Sequence, residues 1–328
     1  MRRREFISVL GAAATWPLAA HSQQAPKIGV LSLGRGGKSD ASLKTLDAFV
    51  SAIRELGYVE DQNISFDRKF ADGDAKRLDE LAQEMVGHRV DAIVALATPA
   101  VRAAKKATST IPIVGIGMAD PVEDELASSL ARPGGNVTGT TFLGPELVSR
   151  RLQLLKEIVP GLSRVVALWH PQAYGERTMA TMLKESESAA HMLGTKLQLV
   201  PADSPADLEQ AFTSIAREQA DGLLLFPSPM LYSQYSRIVP FAANIRLPAM
   251  YVAREGVELG GLVSYGVNLS DLSRATAIYL DRVLKGVKPT ELLRGVPTAG
   301  RFLKAQHCWK NQRVIPRRTF TEREDLVR

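Results

Sequence analysis

The chain has 328 residues, 45% of them apolar and 23% charged, which suits a globular protein of two ordinary domains or one large one. The net charge of +6 sits at the ends: residues 1–22 carry +2, residues 301–328 carry +5, and the body between them is left at −1. A near-neutral body argues against a nucleic-acid surface, which needs clustered Lys and Arg, and one cysteine, Cys308, excludes an internal disulfide and a cysteine-based metal site.

The N-terminus reads as an export signal. MRRREF supplies a basic start, ISVLGAAATWPLAA an apolar stretch, and Ala20 and Ser22 suit a cleavage site before Gln23. Arg3-Arg4-Glu5-Phe6 also fits a twin-arginine pattern, so either the twin-arginine or the Sec route is open. The apolar stretch is too short and too rich in Ala and Gly to span ~30 Å of hydrocarbon. Residues 1–22 are therefore read as a removable segment, and the mature protein is expected in the periplasm.

From residue 27 the chain alternates. KIGVLSL (27–33) is a buried-type strand, and residues 41–56 place Leu43, Leu46, Phe49, Val50, Ile53 and Leu56 at helical spacing before Gly57. NISFDRKF (63–70) is a strand, 74–87 a helix, 90–96 a strand, and a helix follows Thr98-Pro99. IPIVGIG (111–117) is a fourth strand. Turn residues Pro133, Gly134 and Gly135 then precede a short extended piece, 137–142. A second series follows: helix 145–158, strand 164–170, helix 175–193, strand 195–200, helix 205–218, strand 221–226, helix 230–244, strand 248–252, an extended stretch at 261–268 and a helix over 270–285. Two such series predict an α/β fold with two Rossmann-like lobes, each built on a parallel sheet covered on both faces. The expected division gives 23–140 plus about 255–295 to lobe 1 and 141–254 to lobe 2, with an atypical basic tail over 296–328.

Ligands of open parallel sheets sit beyond the carboxyl ends of the strands, so the strand ends are the candidate positions. Four corners qualify: Leu33-Gly34, Thr98-Pro99, Asp120-Pro121 and Ser228-Pro229. Three of them place Ser, Thr or Asp before Pro, a favourable helix start whose N–H groups attract a carboxylate or phosphate. The same residues can equally cap their own helices. Asp120 could meet a ligand ammonium. Tyr174, Tyr251 and Tyr265 follow or lie in strand-like stretches, where a ring with a hydroxyl tip can cover an apolar ligand and bond its polar end.

Enzyme signatures are missing. LSLGRGGKS (31–39) places Ser32 where a phosphate-binding loop needs its first glycine. The five histidines form no metal-ligand spacing, and there is no Gly-x-Ser-x-Gly elbow. His170 ends a strand, where it could face the cleft. No cofactor, no metal and no catalytic residue is expected. An α/β enzyme such as a hydrolase in the same cleft is the rival reading, and the ligand-binding subunit of a sensory system is another.

Several segments together resemble the substrate-binding proteins of ABC importers with the type I periplasmic-binding fold, in the group that takes tryptophan or tyrosine. They are IRELGYVEDQNI (53–64), ATPAVRAAKKAT (97–108), VGIGMADPVEDEL (114–126), LARPGGNVTGTT (130–141), RLQLLKEIVP (151–160) and LPAMYVAREGVELGGLVSYGVN (247–268). The resemblance implies two hinged lobes that close over a small solute, an amino acid or another small carboxylate, and deliver it to a membrane permease driven by ATPase subunits. It implies a monomer that does not bind nucleic acid. It also implies a ligand between Leu33, Gly34, Thr98, Asp120 and Thr140 on one side and Tyr174, Ser228, Tyr251, Tyr265 and Gly266 on the other. Of these, Thr98 and the helix behind it are expected to hold the carboxylate. Residues 291–328 depart from the family's usual apolar ending, so loose order is expected after about residue 295.

Overall fold

A computed structural model describes residues 25–34, 36, 41–130, 133–142, 144–292 and 301–304. The expected signal segment, Cys308 and most of the basic tail lie outside these residues.

The first series folds as β1 (Lys27–Ser32), α1 (Ala41–Glu55), β2 (Ser65–Phe70), α2 (Ala75–Gly87), β3 (Ala92–Leu96), α3 (Ala97–Ala107), β4 (Ile113–Met118) and β5 (Val137–Thr141). Its strands form one parallel sheet in the order β2-β1-β3-β4-β5. β3 and β4 are buried at every residue, as apolar runs covered on both faces must be. β4 and β5 approach closely at a pair of glycines. A Cβ on Gly139, whose φ is +136°, would stand 2.1 Å from the Gly115 carbonyl oxygen.

The second series gives α4 (Gly144–Ile158), β6 (Arg164–Trp169), α5 (Glu176–Met192), β7 (Lys196–Pro201), α6 (Leu208–Arg217), β8 (Gly222–Leu225), α7 (Pro229–Ser233), α8 (Tyr235–Asn244), β9 (Ala249–Tyr251), α9 (Arg254–Glu258) and β10 (Val263–Gly266). The expected helix over 230–244 is two helices that meet at Gln234, and a 3₁₀ turn at Pro205–Asp207 opens the expected helix 205–218. The second sheet runs β10-β9-β8-β6-β7, all parallel, and continues past β10 with one antiparallel strand, β11 (Arg301–Lys304). That strand falls inside the stretch expected to be loose.

The return to the first lobe comes later than about 255. β10 still pairs with β9, and only α10 (Leu269–Leu284) crosses back. Ala277, Leu280 and Val283 of α10 then pack with Ile28, Val30, Phe49 and Val94 of the first lobe. The sequence at 261–268 reads equally well as a strand of either sheet. Contact with β9, its immediate predecessor, decides the matter.

Candidate functional site

The carboxyl ends of the two sheets face each other across a cavity of about 110 Å³, room for a small solute and not for a polymer. From the first lobe, Ser32 and Gly34 follow β1, Leu96 and Ala97 join β3 to α3, Ile116 and Gly117 close β4, and Phe142 follows β5. From the second, Pro227 and Ser228 follow β8, Val252 and Ala253 follow β9, Val267 follows β10, and Tyr174 comes after β6. Thr45 of α1, Arg151 of α4 and Tyr232 of α7 complete the polar part of the wall. The lining is mostly apolar, as small-molecule sites generally are.

Arg151 is the one formally charged residue among the described residues of this lining. α4 presents Val148, Leu152 and Leu155 to the core, and Arg151 shares that buried face with only 2% of its surface exposed. Its Nε–H donates to the Tyr265 carbonyl oxygen at 2.7 Å. One terminal nitrogen, Nη1, is buried with no hydrogen-bond partner, and among the described residues no acidic side chain pairs with the guanidinium. Its ionisable neighbours among the described residues are the tyrosines 174, 235 and 265. Burial pulls its pKa down to about 10, so the group stays cationic at neutral pH. A buried cation without a counter-charge is costly, and an arriving carboxylate would relieve that cost.

Around it stand aromatic rings. Tyr174 meets Phe142 edge-on, with centroids 6.1 Å apart, and joins the two lobes' linings. Tyr232 and Tyr235 pack edge-on at 5.2 Å, and Tyr235 meets Tyr251 the same way at 5.4 Å. Burial raises the hydroxyl pKa of all four tyrosines well above the ordinary range, so they are neutral hydrogen-bonding groups.

The residues singled out in the sequence divide into two sets. Gly34, Tyr174 and Ser228 line the cavity. Ser228 caps α7, accepting from the Leu231 N–H at 3.2 Å, and its hydroxyl lies 3.2 Å from Nδ1 of the buried His170. Burial lowers the His170 pKa, which favours the neutral ring. The other set is committed to structure. Leu33 is packed in the first lobe's core. Thr98 is fully buried, and its hydroxyl accepts from the Ala119 N–H at 2.9 Å, so it does not face the cavity. Asp120 accepts from the Val122 and Glu123 N–H groups, both at 3.0 Å, the capping alternative for this residue. Thr140 accepts from the Gly117 N–H at 3.0 Å and lies 3.1 Å from the Thr276 hydroxyl. Tyr251 is fully buried among tyrosines, Tyr265 offers its carbonyl to Arg151, and Gly266 leaves the room that lets the Val252 carbonyl approach.

The corner after β3 does border the cavity, but through Ala97. The helix begins one residue before Thr98, at an alanine with φ +63°. A left-handed alanine is a strained choice, and such strain gathers at ligand sites.

Contacts also tie the lobes together beside the cavity. The Asp124 carboxylate of the first lobe, whose side chain is wholly buried, accepts from the Gly175 N–H at 2.6 Å, at the start of α5 in the second. Arg102 lies 3.6 Å from the same carboxylate. Burial raises the Asp124 pKa; Thr178, Arg102 and the Gly175 amide act against that rise. At the opposite rim Lys44 of α1 pairs with Glu258 of α9 at 2.6 Å, and this bond to Lys44 is the main reason the Glu258 pKa is lowered.

The family profile described as ABC transporter substrate binding protein matches residues 37–315. The chain belongs to this family. A "Tyrosine-binding protein" of Clostridioides difficile is 26% identical over 267 residues, covering 81% of this chain and 74% of the relative. Among solved structures, a conserved domain protein from Vibrio cholerae superposes with a TM-score of 0.81 at 27% identity, covering 90% of this chain and 97% of that one. The ABC domain in complex with L-Trp from Streptococcus pneumonia gives 0.76 at 26%, covering 85% and 91%. The two-lobed architecture is that of type I periplasmic-binding proteins, and the chain is a substrate-binding protein of an ABC transporter. Members of this family act outside the cytoplasm on small-molecule ligands. Among the described residues no helix is long and apolar enough to cross a membrane, and no group of three or more His, Cys, Asp or Glu could hold a metal ion.

Proposed function

We propose that this substrate-binding protein captures a small solute carrying a carboxylate and that the carboxylate pairs with Arg151 in the cavity between the lobes. The observation that carries the reading is the buried guanidinium without an acidic partner among the described residues. An amino acid or another small carboxylate is the class that relatives binding tyrosine and L-Trp make the natural starting point. Capture works by lobe closure about the crossings near 142–144 and 267–268, with the Asp124–Gly175 and Lys44–Glu258 contacts holding the closed form. The protein performs no chemistry of its own. The loaded form, a monomer in the periplasm, passes its solute to a permease whose ATPase subunits drive import.

The test is a thermal-shift screen of the mature protein against small carboxylates, amino acids and uncharged analogues. A ligand at 100 times its dissociation constant should stabilise by about 2.7 kcal/mol. A response confined to carboxylates supports the reading. A response to uncharged analogues alone removes it.

A further inference from the structure

Resting on the assignment of Arg151 as the carboxylate's partner, we infer that the cavity selects an apolar monocarboxylate without an ammonium group over the zwitterionic amino acid of the same shape. The only formal charge among the described lining residues is the Arg151 guanidinium, and no described Asp or Glu belongs to the lining. An α-amino acid brings an ammonium that loses its water on entry and then needs a carboxylate or several well-placed oxygens.

Three of the lining oxygens already accept one hydrogen bond each. The Ser32 hydroxyl accepts from the Gly34 N–H at 3.0 Å, the Ser228 hydroxyl from the Leu231 N–H, and the Thr45 carbonyl from the Ser273 hydroxyl at 2.9 Å. Among the described residues, Glu255 lies close to Tyr232 and Asp124 close to Tyr174, both behind the lining. Glu255 is 7% exposed and does not line the cavity, its Oε2 is buried without a hydrogen bond, and burial is the main cause that raises its pKa. The Tyr232 hydroxyl is buried beside Thr45 and Glu255, and turning it toward the cavity would make it a second donor to an anion. The remaining wall, with Leu96, Ile116, Phe142 and Val267, suits an apolar body.

Matched ligands separate this inference from the carboxylate reading beneath it. Calorimetric titration of the mature protein would compare L-tyrosine with 3-(4-hydroxyphenyl)propanoate, its primary amide and tyramine, and L-leucine with 4-methylpentanoate as an aliphatic pair. At least one deaminated acid is expected to bind more tightly than its amino acid, by about tenfold or more. Its amide is expected to bind at least as much more weakly, and tyramine not at all. Amino acids that match or exceed their deaminated partners overturn the inference and leave the carboxylate reading standing, as would happen if lining carbonyls took the ammonium. An amide that binds as well as its acid overturns the carboxylate reading itself. Silence from both matched sets overturns both. Since the comparison is made on the unaltered protein, misfolding of a variant cannot confuse it.

Discussion

The two lobes contribute to the cavity in different ways. The first offers mainly backbone and small or apolar side chains: Gly34, Ala97, Ile116 and Gly117 at the ends of its strands. The second brings Arg151, Tyr174, Ser228 and Tyr232. On the proposed function, one lobe shapes the site and the other reads the solute. The solute should therefore engage the second lobe first, and closure should bring the first lobe down as a cover.

The largest expected effect comes from removing the reader. Arg151→Met should weaken binding of a carboxylate solute by about 2–5 kcal/mol, the usual range when one partner of a buried charge pair is lost. The fold should tolerate the change, since an apolar residue of similar volume often replaces a buried charge without loss of stability. Calorimetry and a thermal melt on the same sample check both halves. On the shaping side, Gly139→Ala should lower stability by roughly 1–3 kcal/mol, because its methyl would overlap the Gly115 carbonyl in the β4–β5 contact. Ala97→Gly should do the reverse, stabilising by about 1 kcal/mol through relief of the left-handed conformation while leaving the cavity's side chains in place. Denaturant melts read both.

The lobe-to-lobe contacts sharpen the comparison further. The Asp124 pKa is raised on folding, so this carboxyl's contribution to stability is full below its ordinary value near 3.8 and is lost as pH rises through the raised value. Asp124→Asn can keep the acceptor for Gly175 and removes the titration. The difference in melting temperature between wild type and variant should drift with pH across that window and be level above it. The smallest effect belongs to Lys44 and Glu258, with 60% and 39% of their side chains exposed. Breaking that pair should cost about 0.2–1 kcal/mol and matter less as salt rises.

Much of the fold was legible because β1, β3 and β4 of the first sheet are short apolar runs, and β2 alternates as a strand should. The limits were physical. The residues 261–268 carry no mark of which sheet they join, and Arg301–Lys304 pairs antiparallel to β10 without an apolar pattern that announces a strand. At the site, the strand-end rule located the corners but not the atoms. Thr98 was the obvious helix cap, yet the chain enters the helix through Ala97 and turns the Thr98 hydroxyl toward Ala119. Arg151 was passed over inside RLQLLKEIVP. The available signal was its spacing, three residues after Val148 and four before Leu155, which places a charge on the buried stripe of an amphipathic helix.

The most direct measurement pairs ligand and protein changes in one cycle. A carboxylate that binds the wild type and its primary amide are each titrated into wild type and Arg151→Met. If Arg151 reads the carboxylate, the wild type prefers the acid strongly and the variant loses that preference. A variant that still tells acid from amide as well as the wild type does would contradict the account.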